Sequence, residues 1–302
     1  MTLPNFLIIG AAKSGTTSLY RYLGQHPQVY ANVKEPSYFA LAGKSVQYNG
    51  PGDQEGFVRR VTTDRDAYER LFDGVTQEKA YGEASVLYLY SPEAPGRIKQ
   101  TIPDVKLMAI LRNPVERAFS GFLHMRRDGR EPLADFAAAL AAETSRVEAN
   151  WEHQWHYTRL GYYYTQLKRY YDLFPAENIA VFTFDEFRSS PVAVLQDIFR
   201  FLEVDDSFVP DTSLKYNVSG VPQSRVLHKF LIRPNRLKDI VRPLLPRSAR
   251  RYLGALVRRY NITDRKPELP QDIRHYLVKL YRDEILQLES LINKDLSHWV
   301  SV

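Results

Sequence analysis

Residues 6–18, Phe-Leu-Ile-Ile-Gly10-Ala-Ala-Lys13-Ser-Gly15-Thr-Thr-Ser18, constrain this chain more than any other segment. An apolar run enters a loop of glycine, alanine, serine and threonine. Ser18 to Gln25 then suits a helix ending near His26-Pro27. A short apolar run without polar alternation is what fills a parallel strand covered on both faces. A small-residue loop between such a strand and a helix gathers backbone N–H groups at the positive end of the helix, where phosphate binds. The expected fold class is therefore α/β, a P-loop-type three-layer fold with a mostly parallel central sheet flanked by helices.

The loop departs from the nucleoside-triphosphate pattern of Gly, four residues, then Gly-Lys-Ser/Thr. Gly10 and Gly15 have the right separation, but Thr16 stands where the lysine belongs, and a lysine appears at position 13 instead. The usual lysine reaches the terminal phosphates of a triphosphate, with a magnesium ion beside it. An ammonium earlier in the loop sits nearer a bridging or departing oxygen, which suits a donor with no γ-phosphate. A P-loop nucleotide-dependent kinase or NTPase is the alternative, and it requires the lysine that is missing.

A second anion-binding pattern follows about a hundred residues later. Lys106-Leu-Met-Ala-Ile-Leu reads as a strand (Val105 to Leu111) ending in Arg112, and Pro114 opens a helix that carries Arg117 and Ser120. A guanidinium at the carboxyl end of a strand and a hydroxyl two turns into the next helix can converge on one phosphate, and the arginine fork binds its oxygens in pairs. Helices are expected at Asp64–Leu71, Pro92–Gln100 (Ser91 as N-cap, Pro92 in the first turn), Pro132–Glu148, Gly161–Phe174, Val192–Leu202 and Leu277–Leu291, with a strand at Ile179–Phe184. No repeat or low-complexity linker divides the chain. A single domain over 1–302 is expected, with a basic helical or loop subregion without strand signals at about 216–270.

These two elements resemble those of the sulfotransferases that use 3'-phosphoadenosine 5'-phosphosulfate (PAPS). The longer run through Leu23-Gly-Gln-His26-Pro27 and Lys34-Glu35-Pro36-Ser-Tyr-Phe39 is similar to the bacterial and heparan sulfate N-/O-sulfotransferase branch. The likeness covers most of the chain and leaves mainly Gln223 to Thr263 unmatched. It implies a sulfotransferase that moves a sulfuryl group from PAPS to a hydroxyl or amine of a carbohydrate, lipid-linked glycan or metabolite. Lys13 would stabilise the leaving phosphate, and Lys13, Ser14, Gly15, Thr16, Thr17 and Ser18 would hold the 5'-phosphosulfate. Arg112 and Ser120 would bind the 3'-phosphate, Tyr216, Arg265 and Lys266 would lie near the nucleotide, and Arg225 is a further candidate.

Glu35 is the candidate base, by the same resemblance. A carboxylate takes a proton at neutral pH where burial raises its pKa, and a surface glutamate paired with Lys34 is the competing reading. His26, at a helix end before proline, reads as a structural cap. Glu83 is the second carboxylate candidate. Its neighbour Ala84 stands where relatives carry lysine, so acceptor contacts near it are open.

Composition narrows the partners. The chain has no cysteine, so disulfides and cysteine-based zinc sites are excluded, and the histidines show no ligand spacing, so no metal is expected. The net charge is +6, but Arg225 to Arg259 alone holds eleven Lys/Arg against one acid, Asp239. Such a patch points to an anionic partner rather than to nucleic acid. Its alternating apolar and basic residues make residues 225–259 a candidate peripheral membrane contact, an acceptor gate or a packed helical cap. The amino terminus lacks a basic n-region, and no apolar stretch is long enough to span a bilayer. A cytoplasmic, or membrane-peripheral, location is expected.

Overall fold

The computed structural model describes residues 2–213, 221–222, 262–263 and 267–301. Five strands form one sheet: β1 (Phe6–Gly10), β2 (Val29–Lys34), β3 (Ala80–Ala84), β4 (Lys106–Leu111) and β5 (Ile179–Thr183). Their order is β2-β3-β1-β4-β5, and every neighbouring pair is parallel.

Alternation along β1 and β4 explains the layering. Leu7, Ile9, Leu107, Ala109 and Leu111 enter one core, while Phe6, Ile8, Met108 and Ile110 enter the other. The first core is closed by helices α2 (Pro114–Arg127), α3 (Tyr163–Tyr171) and α6 (Gln271–Ile292). The second is closed by α1 (Thr16–Leu23), α4 (Phe184–Ser189) and α5 (Pro191–Phe201). Both faces are buried, so each buried Leu, Ile or Phe contributes about 1.5–3 kcal/mol. The expected α/β three-layer fold is present.

Strands β2 and β3 escaped sequence reading. β2 is a sheet edge with only Val29 buried, so its residues carry no apolar run. β3, Ala-Tyr-Gly-Glu-Ala, contains Gly82, which lies opposite Phe6 and where an added Cβ would stand 2.2 Å from the Phe6 carbonyl oxygen. Close approach of β1 requires glycine there, and it removes the β-branched signal a buried strand usually shows.

Some boundaries differ from expectation. Ser91 does not cap the helix expected at Pro92. Its N–H closes the preceding turn on Leu87 O at 2.9 Å, and the helix runs over Ala94–Thr101 with Pro95 in its first turn. The Ala-rich helix is two, Phe136–Ala141 and Glu143–Glu148. The break turns Glu143 inward, where it accepts from the N–H groups of Thr158 and Arg159 at 2.7 and 3.0 Å. Within the segment expected to lack strands, Val221–Pro222 and Ile262–Thr263 form a short antiparallel pair, and Val221–Pro222 lies against α2. Tyr216, Arg225, Arg265 and Lys266 lie outside the described residues, as does the rest of the 216–270 subregion apart from the paired residues and 267–270.

Candidate active site

All five strands deliver residues from their carboxyl ends to one cavity of about 410 Å³. Lys34 and Glu35 arrive from β2, Val86 from beyond β3, the loop after β1 from its centre, Arg112 from β4 and Phe184 from β5. Parallel strands place their ends together, so ligands of open α/β sheets collect at this edge.

The loop after β1 ends at an uncapped helix N-terminus. Gly15 has φ 94°, a conformation that favours glycine, and it precedes α1 without a side-chain cap. The first-turn N–H groups of α1 therefore have no capping side chain, and no acid stands in that turn. Lys13, Gly15, Thr16, Thr17 and Ser18 line the cavity, whereas Ser14 is fully buried and is not among its lining residues. Burial, with the Arg127 guanidinium nearby, pulls the Lys13 pKa down from 10.5 to about 8.

Arg112 crosses from β4 to this loop. Its Nη1 donates to the Lys13 carbonyl at 3.5 Å, and its guanidinium lies 5.2 Å from the Phe184 ring centre. Ser120 shares the same wall. Both residues also line a second cavity of about 340 Å³ between α2 and the start of α6, together with Glu116, Pro267, Gln271 and Arg274. Pro267 directly follows Arg265 and Lys266 in the chain. Arg117 also lines the first cavity, but it is buried and its Nη2 donates to the carbonyl of Tyr157.

Glu35 is held by residues far away in sequence. Its N–H donates to Ala84 O at 2.7 Å, and its Oε2 accepts from Val86 N–H at 3.1 Å. Its Oε1 accepts from Lys34 Nζ at 2.7 Å, so the pairing with Lys34 and a place in the cavity coexist. Glu35 has φ 61° and Ser37 φ 56°, a tight turn in a region that non-glycine residues seldom adopt. That turn is anchored where Ser37 N–H donates to Ser85 Oγ at 2.9 Å and Ser85 in turn donates to Glu83 at 2.8 Å.

Glu83 does not reach the cavity. It is fully buried and accepts from Tyr88 and Tyr68 hydroxyls at 2.5 and 3.2 Å. Burial lifts its pKa from 4.5 to about 8. His26 is also remote. Its Nδ1 accepts from Gln28 N–H at 3.0 Å, so Nε2 carries the proton donated to Asp205 O at 2.8 Å, and Phe199 and Phe208 pack on the ring.

His124 was not singled out in the sequence, yet it lines the cavity. It follows Ser120 by one helical turn, and that spacing was the available signal. Arg127 donates to its Nδ1 at 2.7 Å, and burial together with the Lys13 charge lowers its pKa to about 3, so the ring is neutral. The cavity lining also includes Phe57, Arg60, Arg130, His153 and Gln154. Arg130 is fixed there by ion pairs to buried Asp53 and Glu152. Among the described residues, no group of three or more His, Asp or Glu is placed to hold a metal ion, and no helix is long and apolar enough to cross a membrane.

Comparison with known proteins shows the family. The model of the sulfotransferase family matches residues 4–208. Bifunctional heparan sulfate N-deacetylase/N-sulfotransferase 1 of Xenopus laevis is 28% identical over 298 residues, covering 96% of this chain and 30% of that protein. Bifunctional heparan sulfate N-deacetylase/N-sulfotransferase 2 of Bos taurus is 30% identical over 208 residues, covering 67% of this chain and 22% of that protein. The chain thus spans less than a third of the length of these curated relatives. The crystal structure of a sulfotransferase from Alicyclobacillus acidocaldarius superposes with TM-score 0.79 at 37% identity over 100% of both chains.

Proposed function

Because the chain belongs to the sulfotransferase family, we propose that its sulfuryl donor is PAPS and its acceptor a hydroxyl or amine of a glycan, lipid or small molecule. One observation carries the reading: the phosphate loop, Glu35, Arg112 and Ser120 share a cavity, and the last two also border a second. The donor set suits a molecule anionic at both ends. Lys13, the α1 amides and the hydroxyls of Thr16 to Ser18 would hold the phosphosulfate end, and Arg112 and Ser120 the 3'-phosphate. Arg265 and Lys266 remain candidates for that second end, since Pro267 lines the cavity beside it. Tyr216 and Ser14 remain candidates from the sequence alone.

In this reading the acceptor oxygen or nitrogen forms a bond to sulfur while the bond from sulfur to the phosphate oxygen breaks. Glu35 takes the acceptor proton. Its hydrogen bond from Val86 N–H leaves the carboxylate aimed by the backbone instead of by a flexible stem. Lys13 neutralises the phosphate oxygen that is released. Placement and fixed charge supply most of the rate, as in phosphoryl transfer. The acceptor would enter along the Phe57, Arg60 and Gln154 wall. Two relatives named as heparan sulfate N-sulfotransferases support trying a glycan amine first.

The test has two arms. Thermal shift with adenosine 3',5'-bisphosphate should exceed that with ATP and Mg²⁺, and the reverse order would favour the kinase or NTPase reading. Labelled PAPS incubated with candidate glycans, lipids and metabolites, followed by mass spectrometry, should then show one labelled acceptor.

A further inference from the structure

Glu116 lies on α2 between Arg112 and Ser120, four residues from each, and its carboxylate is gripped from two sides. Oε1 accepts from Arg274 Nη2, and Oε2 lies 3.7 Å from Arg112 Nη2. Arg274 comes from the first turn of α6, 158 positions later, and reaches Glu116 from the opposite wall of the second cavity. The cavity's lining thus holds two guanidiniums, the Ser120 hydroxyl and two carboxylates, Glu268 and the Glu116 that occupies both cations.

A carboxylate and a phosphate edge present the same paired oxygens to an arginine fork. Glu116 therefore sits where a tetrahedral oxyanion would be held by the same two arginines. The three side chains are 22% (Arg112), 33% (Glu116) and 26% (Arg274) exposed. Ion pairs this accessible are weak, so a dianion can displace the glutamate. A neutral hydroxyl cannot.

We infer that Arg274 is a ligand for the phosphate at the ribose end of the donor, and that Glu116 occupies its guanidinium whenever that phosphate is missing. The pair would then act as a specificity device: a nucleotide bearing the extra phosphate frees Arg274 from Glu116, and one lacking it leaves the ion pair closed. This inference rests on the donor reading above and adds to it two residues that the sequence motifs did not include.

Calorimetric titration of the full chain with adenosine 3',5'-bisphosphate and with adenosine 5'-monophosphate tests it. Wild type should prefer the bisphosphate. Arg274→Ala should lose about tenfold or more in bisphosphate affinity with monophosphate affinity unchanged, and Arg274→Lys should lose less. Glu116→Gln should move the other way and raise the ratio of the two affinities. If Arg274 only docks α6 onto α2, Arg274→Ala and Glu116→Gln will lower the melting temperature together and weaken both nucleotides by one factor. That result, or an unchanged ratio in folded Arg274→Ala, overturns the inference. A wild-type chain that fails to distinguish the nucleotides instead defeats the donor reading itself, and this inference with it.

Discussion

The Arg112 guanidinium meets the main-chain carbonyl of Lys13, Nη1 to O at 3.5 Å, across 99 residues of sequence. Strands β1 and β4 are neighbours, so the loop that follows one and the arginine that follows the other emerge side by side. The two elements proposed to bind the donor therefore line one cavity.

If Lys13 and Glu35 act as proposed, Lys13→Ala and Glu35→Gln should each lower kcat about 100-fold or more. Both line the cavity and neither belongs to the hydrophobic cores, so circular dichroism and melting temperature should change little. Wild-type turnover in a folded Glu35→Gln protein would remove that residue as the base.

The Lys13 pKa of about 8 implies an alkaline limit. The ammonium is present below that value and is lost as pH rises through it, so kcat/KM should fall above about pH 8 in the free enzyme. Lys13→Arg keeps its charge through this range, and whatever activity it retains should show no such limb. A limb that persists in Lys13→Arg would assign the titration to another group.

Glu83 makes the opposite kind of statement, about stability. Its carboxyl keeps a proton in the fold up to about pH 8, while the unfolded chain releases it near the ordinary 4.5. Between those values the folded state binds more protons, so the contribution of Glu83 to stability declines as pH rises. Melting temperatures at about pH 5, 6.5 and 8 should fall less steeply in Glu83→Gln than in wild type. Equal slopes would show that Glu83 is ionised in the fold.

Arg146 and Glu131 are buried and paired through two hydrogen bonds of 2.7 and 2.9 Å, with the Tyr157 hydroxyl on the same carboxylate at 2.8 Å. Arg146→Met should cost about 3–5 kcal/mol because it strands a buried charge. Adding Glu131→Leu should recover much of that loss. Urea denaturation of the single and double variants measures both terms, and a single variant near wild type would mean the carboxylate finds other partners.

Legibility followed range. The helix expected at Pro114 begins there, and Asn113 caps it through Oδ1, which accepts from Val115 N–H at 3.0 Å. β1 and β4 were readable because both faces of each are buried, which leaves an unbroken apolar run. β2 was not, being an edge, nor β3, where packing against Phe6 demands a glycine. His124 passed unnoticed because a histidine on a helix acquires meaning only when Lys13 is known to face it.

Local chemistry was enough to read the strand, loop and helix around Lys13 and those around Arg112 and Ser120, because each needs only one strand, one turn and one helix in succession. Folding alone decided the rest. Glu35 is aimed by Ala84 and Val86, and Glu116 is clasped by Arg274. Such contacts depend on which strands and helices become neighbours, and periodicity along one segment carries no record of its partner.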